Sequence, residues 1–155
     1  MLFSGKTKNI LKHKSGEAAI SEIERLLSPI FYSNPPELTE AEKTIVYFDE
    51  LEREVNNGGF KQFFDNSSGK YSKEVVQALK DIRSVQFLKL VESAIAQFPN
   101  SNVPVNWVEC RKLVEEIEEV ADPVWDKLSR EFFKYEEDIY TLMIGYINNN
   151  IKDFR

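Results

Sequence analysis

Hydrophobic residues recur at intervals of three and four positions along most of the chain, which is the period of an amphipathic α-helix. The clearest helix begins at Thr39, which forms a capping box with Glu42. Its apolar face consists of Ile45, Phe48, Leu51 and Val55. We expect this helix to end at residues 56–59, an Asn-Asn-Gly-Gly sequence, because Asn and Gly tolerate the left-handed conformation that closes a helix.

Helix-capping residues precede several further apolar stripes. Ser72, Ser84 and Asn106 are each placed to cap the helix that follows. Asp122-Pro123 is predicted to end one helix and to start the last one, because proline suits a first helical turn and disrupts an interior. No alternating strand pattern extends beyond a few residues. The sequence therefore predicts an all-α, single-domain bundle of about six or seven helices.

The N-terminal segment differs from the rest of the chain in charge. Residues 1–16 include Lys6, Lys8, Lys12 and Lys14 and lack the apolar run of a secretory signal. We interpret residues 1–16 as a basic, mobile arm and residues 17–155 as the helical domain. No segment approaches the ~20 apolar residues that span a bilayer, so we expect a cytoplasmic protein that does not bind membranes.

The last predicted helix has two apolar stripes, and two stripes need two covering surfaces. One cover is an early helix containing Ile20, Ile23 and Leu27; the other cover is a second copy of the chain. The predicted homodimer face is Phe133, Tyr140, Ile144 and Ile147.

Composition excludes several kinds of site. The 155 residues include one cysteine and one histidine, which rules out an internal disulfide and a thiolate–imidazole zinc site. Glu50 and Glu54 are an i,i+4 carboxylate pair that could hold a divalent metal or act as acid and base, but no third ligand is visible nearby. We therefore predict no cofactor, no metal and no enzymatic activity.

The charge is acidic and unevenly distributed. The formal net charge is −6; residues 37–54 carry seven acids against two bases, and residues 109–138 carry eleven acids against five. We select as candidate binding face the acids Glu115, Glu116, Glu118, Glu119 and Asp122. Duplex DNA carries about one charge per 1.7 Å, so a ~45 Å helix would need ~26 charges to match it. The net charge of −6 in the second stretch is far lower, and an ordinary solvated helix face remains the alternative.

A run of amides, glycines and aromatics lies between Glu54 and Gly69. It consists of Glu54, Asn56, Asn57, Gly58, Gly59, Phe60, Gln62, Phe63, Phe64, Asn66, Ser67, Ser68 and Gly69. This run resembles the signature of a bacterial family of unknown function named after DNA-mimic proteins, and the resemblance covers about residues 38–149. One departure is Arg83, where similar sequences have glycine.

The resemblance implies an all-helical domain and, for the members that gave the family its name, binding of DNA-binding proteins through an acidic surface shaped like DNA. Our leading hypothesis is accordingly a non-enzymatic module that binds a basic protein, such as a regulator or nucleoid protein, without binding nucleic acid itself. The alternatives are a toxin-neutralising or adaptor protein that recognises its partner through the amide-rich turn of residues 56–69, and a carboxylate metal enzyme.

Overall fold

A computed structural model describes residues 5–155, which form one all-α domain. Its seven α-helices are α1 (Lys6–His13), α2 (Gly16–Ser33), α3 (Glu40–Asp65), α4 (Ser72–Ile82), α5 (Val85–Ile95), α6 (Trp107–Phe132) and α7 (Ile139–Asn149). Short 3₁₀ turns occupy Pro35–Glu37, Ser67–Tyr71, Pro99–Ser101 and Ile151–Asp153. Residues 5–155 contain no β-strand. The predicted fold class and helix number are confirmed.

Helix α3 is the central element and packs against α6, α2 and α4. The predicted capping box fixes its start: Glu42 N–H donates to Thr39 Oγ1 at 3.1 Å, and Thr39 N–H donates to Glu42 Oε1 at 3.1 Å. The predicted end is instead a kink, where Gly58 and Gly59 leave helical dihedral angles before the helix resumes. The helix resumes because buried aromatic residues follow the glycines directly: Phe60, Phe63 and Phe64.

Aromatic rings fill the space around the second half of α3. The Phe60 ring packs edge-on against Phe132 of α6 at 5.9 Å between ring centroids, and Phe132 packs against Phe87 of α5 at 4.8 Å. The ring centroids of Phe64 and Trp125 lie 5.3 Å apart. The indole N–H of Trp125 donates to the carbonyl of Ala94 at 3.0 Å. The buried rings therefore join α3, α5 and α6 into one core.

Helix α6 runs through Pro123, so the predicted break at Asp122-Pro123 was wrong. Pro123 lies on the exposed side of α6, where water can hydrate the carbonyl that proline leaves without a donor. Ala121 and Trp125 are buried on either side of it and keep the helix against the core. The chain breaks instead after Phe132, and Asp138 then caps α7 by accepting the N–H of Thr141 at 3.1 Å.

The other predicted caps had mixed outcomes. Ser84 accepts the N–H of Phe87, and Asn106 accepts the N–H of Glu109, as predicted. Ser72 does not cap α4; it is the first residue of that helix, and its hydroxyl donates to the carbonyl of Gly69 at 2.6 Å. Arg83 ends α4 with a positive φ of 66°, a conformation that favours glycine.

The prediction of a mobile arm over residues 1–16 was wrong for the residues that the structure describes. Residues 6–13 form α1, in which Thr7 and Ile10 are buried. The N–H of Thr7 donates to the carbonyl of Arg155 at 2.7 Å. Residues 1–4 of the predicted arm lie outside the described residues. Thr7 and Ile10 are three positions apart, so they share one face of α1, while Lys6, Lys8 and Lys12 stay exposed.

The predicted homodimer face is not one exposed stripe. Ile147 is fully buried, and Tyr140 is half-buried with its hydroxyl bonded to Glu52 inside the chain. Ile144 packs against the core, and only Phe133 is largely exposed, just beyond the end of α6. Helices α2 and α4 pack against α7, so the second cover comes from this chain itself.

The C-terminal residue is held by a buried acid at the start of α3. Arg155 Nε–H donates to Glu42 Oε2 at 2.7 Å, and Glu42 has no exposed surface. A further N–H of the Arg155 guanidinium donates to Glu42 Oε1 at 3.0 Å. This pair joins the C-terminal segment to the central helix.

We expect Arg155→Ala to lower the free energy of unfolding by about 3 kcal/mol, because it leaves a buried carboxylate without its cation. Urea denaturation followed by circular dichroism measures the change. The control is Arg130→Ala, which removes the exposed pair of Arg130 with Asp126 and should cost less than about 1 kcal/mol. Equal losses in the two variants would contradict a special role for the Arg155–Glu42 pair.

We expect Gly59→Ala to destabilise the protein by about 1–3 kcal/mol, because φ 75° and ψ −176° lie in a region open essentially to glycine alone. A Cβ atom there would also lie 2.8 Å from Ser129 Oγ. The matched control is Gly145→Ala in α7, where a Cβ meets nothing within 4 Å. That change should instead stabilise the helix by about 0.5–1 kcal/mol. Thermal unfolding should give a lower melting temperature for Gly59→Ala and a higher one for Gly145→Ala than for the unchanged protein.

Candidate acidic interaction surface

The predicted acidic face on α6 is only partly free of cations. Glu118 and Asp122 both accept from Lys61 Nζ, at 3.1 Å each. The remaining three acids of that face, Glu115, Glu116 and Glu119, are exposed, and Lys112 is exposed on the same helix. The structure therefore brings a lysine of α3 into the predicted face and lowers its charge density.

A second group of acids lies between α2 and α3. It combines Glu17 and Glu24 of α2 with Asp49 and Glu52 of α3. Burial, followed by the charges of Asp49, Glu52 and Glu17, raises the pKa of Glu24 from its ordinary value of 4.5 to about 9, against the opposing effect of Arg53. We call these four residues the α2–α3 acidic surface.

Glu24 differs from the other three acids in its hydrogen bonding. Its Oε1 atom is shielded from solvent and accepts no hydrogen bond within the described part of the chain. An ionised carboxylate with one shielded and unpaired oxygen is costly, because neither water nor a donor reaches that oxygen. Burial and the acidic neighbours therefore favour the protonated form of Glu24 at neutral pH.

Asp49 and Glu52 have donors from neighbouring helices. The Ser28 hydroxyl donates to Asp49 Oδ2 at 3.1 Å, and Arg53 lies 3.8 Å from the same oxygen. The hydroxyls of Tyr135 and Tyr140 both donate to Glu52 Oε2, at 2.8 and 2.7 Å. Burial raises the pKa of both acids, and these donors oppose the rise.

A cavity of about 460 Å³ opens beside this group. Two of the four acids, Glu24 and Asp49, line it, and so does the cation Arg25. The other lining residues are Ser21, Ser28, Pro29 and Tyr32. The acidic surface is therefore concave at Glu24 and Asp49, where Arg25 offsets part of the negative field.

The carboxylate pair considered for metal chemistry already has intramolecular partners. Glu50 accepts from the Tyr32 hydroxyl and from Arg53, the latter at 3.0 Å. Glu54 accepts from the amides of Gln62 and Asn66, at 3.0 and 2.7 Å. Among residues 5–155, no group of three or more His, Cys, Asp or Glu side chains is arranged to hold a metal ion.

The amide-rich run mostly braces the kink of α3. Asn56 donates to the Tyr135 hydroxyl at 2.9 Å, while Gln62 and Asn66 bond to Glu54 as described. Ser68 donates to the carbonyl of Phe63 at 2.8 Å, and a Cβ at Gly58 would lie 2.0 Å from Gln62 Oε1. These bonds favour the interpretation that the amides and glycines satisfy two helix ends.

The sequence analysis missed Glu17 and Glu24 as members of an acidic group. The residues are seven positions apart on α2, which places them on one face of that helix two turns apart. Charge counted along the chain did not find the group, because half of it comes from another helix. The i,i+7 spacing of the two acids is the signal that could have found it.

The fold and this surface define a small all-α protein with a group of four acids between two of its helices, α2 and α3. A family model described as DMP19-like protein matches residues 36–150, and the chain belongs to this family. The resemblance expected over residues 38–149 is thus confirmed at the level of the family. No curated protein and no solved structure matches the chain. None of the helices within residues 5–155 combines the length and apolarity needed to cross a membrane.

We expect the stability of the protein to fall as pH rises from about 5 to about 9, because the folded state keeps the Glu24 proton that the unfolded chain releases near its ordinary pKa of 4.5. Glu24→Gln has no proton to release at that position. Its free energy of unfolding relative to the wild type should therefore increase with pH, by at most about 1.4 kcal/mol per unit.

Urea denaturation at pH 5.5, 7 and 8.5 measures this difference. The control is Glu119→Gln at an exposed position of α6, which should show no comparable rise. A constant difference between Glu24→Gln and the wild type across the three pH values would contradict proton retention by Glu24.

Proposed function

We propose that the chain is a non-enzymatic interaction module that binds the DNA-contacting surface of a basic protein, such as a regulator or nucleoid protein. The binding surface is the α2–α3 acidic surface. Such a partner presents lysines and arginines arranged for a polyanion, and clustered carboxylates compete for the same cations.

The observation that carries this proposal is the convergence of Glu17, Asp49 and Glu52 around Glu24. The charges of Asp49, Glu52 and Glu17 add to burial in raising the pKa of Glu24 to about 9. Burial is the first cause of that rise, and the three acidic neighbours add to it. Glu24 itself is protonated, so the negative potential that a cationic group lowers on approach comes from Glu17, Asp49 and Glu52. Cations reach both acidic groups: Lys61 pairs with Glu118 and Asp122 of α6, and Arg53 lies 3.8 Å from Asp49. Glu52 accepts instead from two neutral tyrosine hydroxyls, which leave its charge in place.

Membership of the DMP19-like family supports the same class of partner. The matched residues 36–150 include Asp49 and Glu52 of α3, while Glu17 and Glu24 of α2 lie before them. The α2 half of the surface is therefore argued from this chain's own geometry.

The proposal is tested by competition with DNA. A labelled DNA duplex is bound to a basic nucleoid-type protein from the same host, and release of the duplex by the purified chain is followed by fluorescence anisotropy at 50, 100 and 200 mM salt. We expect release at low salt and progressive loss of release as salt screens the charges.

The variant Glu17→Gln/Asp49→Asn should weaken this competition by about tenfold or more, equivalent to about 1.4 kcal/mol. The matched control Glu115→Gln/Glu119→Gln removes the same formal charge from α6 and should have a smaller effect. Release that is indifferent to salt contradicts the electrostatic mechanism. A larger effect of the α6 variant contradicts the assignment to the α2–α3 acidic surface.

A further inference from the structure

A second cavity, of about 470 Å³, lies between the kink of α3 and helix α6. From α3 it is lined by Asn56, Asn57, Gly58 and the cation Lys61, and from α6 by Asp122, Asp126 and Trp125. The ring of Phe133, which is 47% exposed, lines it as well. We call it the kink cavity. Its volume falls within the range of about 300–1,000 Å³ that is typical of binding sites.

The kink makes this cavity, and the bonds that hold the kink do not fill it. The N–H of Phe60 donates to Ser129 Oγ at 3.0 Å, and Ser129 Oγ donates to the carbonyl of Trp125 at 2.7 Å. These contacts attach the second half of α3 to α6 beneath the glycines. The wall residues are therefore positioned by buried contacts before any ligand arrives, which lowers the entropic cost of binding.

Asn57 is the amide of the turn that the fold leaves unused. Asn56, Gln62 and Asn66 each donate to a side chain of the same domain. Asn57 is exposed, lines the kink cavity and makes no side-chain hydrogen bond within residues 5–155. A donor entering the cavity can use its carbonyl oxygen without breaking an existing bond.

The wall carries two acids, Asp122 and Asp126, and one lysine, Lys61. Asp122 and Asp126 are four residues apart on α6, so both carboxylates lie on one side of the helix. Asp122 Oδ2 accepts from Lys61, but Asp122 Oδ1 is shielded and accepts no hydrogen bond within the described residues. Asp126 pairs with Arg130, and both side chains of that pair are about two-thirds exposed, so the pair is weak and open to exchange.

We propose that the kink cavity binds the guanidinium group of an arginine side chain presented by the basic partner. The planar guanidinium donates in a fork to the Asp126 carboxylate and the Asn57 carbonyl oxygen while one face stacks on Phe133. A lysine ammonium can pair with the carboxylate but offers no planar face to the ring. An anionic ligand is disfavoured, because the wall holds two carboxylates against Lys61, which is paired with Glu118 and Asp122. The entering guanidinium exchanges with Arg130, the exposed partner of Asp126.

This inference rests on the proposed function for the source of the arginine, and the chemistry of the cavity can be measured without any partner. The probe is N-acetyl-arginine methylamide, titrated into the isotope-labelled full chain and followed by NMR of the backbone amides. The matched neutral probe is the citrulline analogue, which has the same shape without the charge.

We expect the arginine probe to shift the amides of Asn57, Gly58 and Gly59 in a saturable manner, and the citrulline probe to shift them at least about tenfold more weakly. Asp126→Asn and Asn57→Ala should each weaken the arginine effect, whereas Glu119→Gln, an equal charge change on α6 outside the cavity, should not. Thermal unfolding of both variants confirms that they remain folded, since Asn57 and Asp126 are exposed.

Equal shifts by the arginine and citrulline probes, no shifts at millimolar probe, or shifts confined to α2 and the first half of α3 would each overturn the proposal. A shift that is unaffected by Asp126→Asn would overturn it as well. Failure of the DNA-competition experiment together with saturable arginine binding at the kink would refute the proposed function and leave the guanidinium site standing. Successful competition without arginine binding at the kink would support the proposed function and refute the guanidinium site.

Discussion

Helix α3 places carboxylates against neighbouring elements on several of its sides. Removing these charges from water costs free energy, and this cost determines which residues can pack against the helix. An ionised carboxylate removed from water needs donors or a cation in return. Each neighbouring element supplies some of them: the C-terminal segment brings Arg155 to Glu42, α2 brings Ser28 to Asp49, and the α6–α7 region brings Tyr135 and Tyr140 to Glu52. The acids of α3 therefore specify which residues the helix accepts as neighbours, while the apolar residues provide most of the burial.

The kink of α3 allows this helix to form a hydrogen bond with α6. A straight helix would continue past Val55 without room for a side chain of α6 between its turns. The glycine dihedral angles at Gly58 and Gly59 open the backbone, and Ser129 of α6 enters to accept the N–H of Phe60. The same break places Gln62 close enough to Glu54 for a bond across the turn, at 3.0 Å. A cavity beside the kink is thus a consequence of how the two long helices are joined.

The features that the sequence predicted are those set by neighbouring residues. The capping box at Thr39 and the caps at Ser84 and Asn106 depend on side chains three positions apart, so their prediction needed no tertiary structure. The prediction failed at Pro123 because exposure on the folded helix, which a local pattern does not contain, makes proline tolerable there. It failed for Ile147 because α2 and α4 cover that face, and helix periodicity does not identify the cover.

The acidic surface also shows why a protein cannot copy the charge of DNA simply by adding acids. Phosphodiesters stay ionised at neutral pH, but carboxylates have ordinary pKa values near 4 and take up protons when they are crowded and desolvated. Glu24 is already in that position, with a pKa raised to about 9 by burial and its acidic neighbours. A further acid beside it would add little charge, because another group would protonate instead. Tyrosine and serine donors such as those at Glu52 and Asp49 stabilise ionised carboxylates without cancelling their charge, so a dense acidic surface depends on hydroxyl groups as much as on the acids themselves.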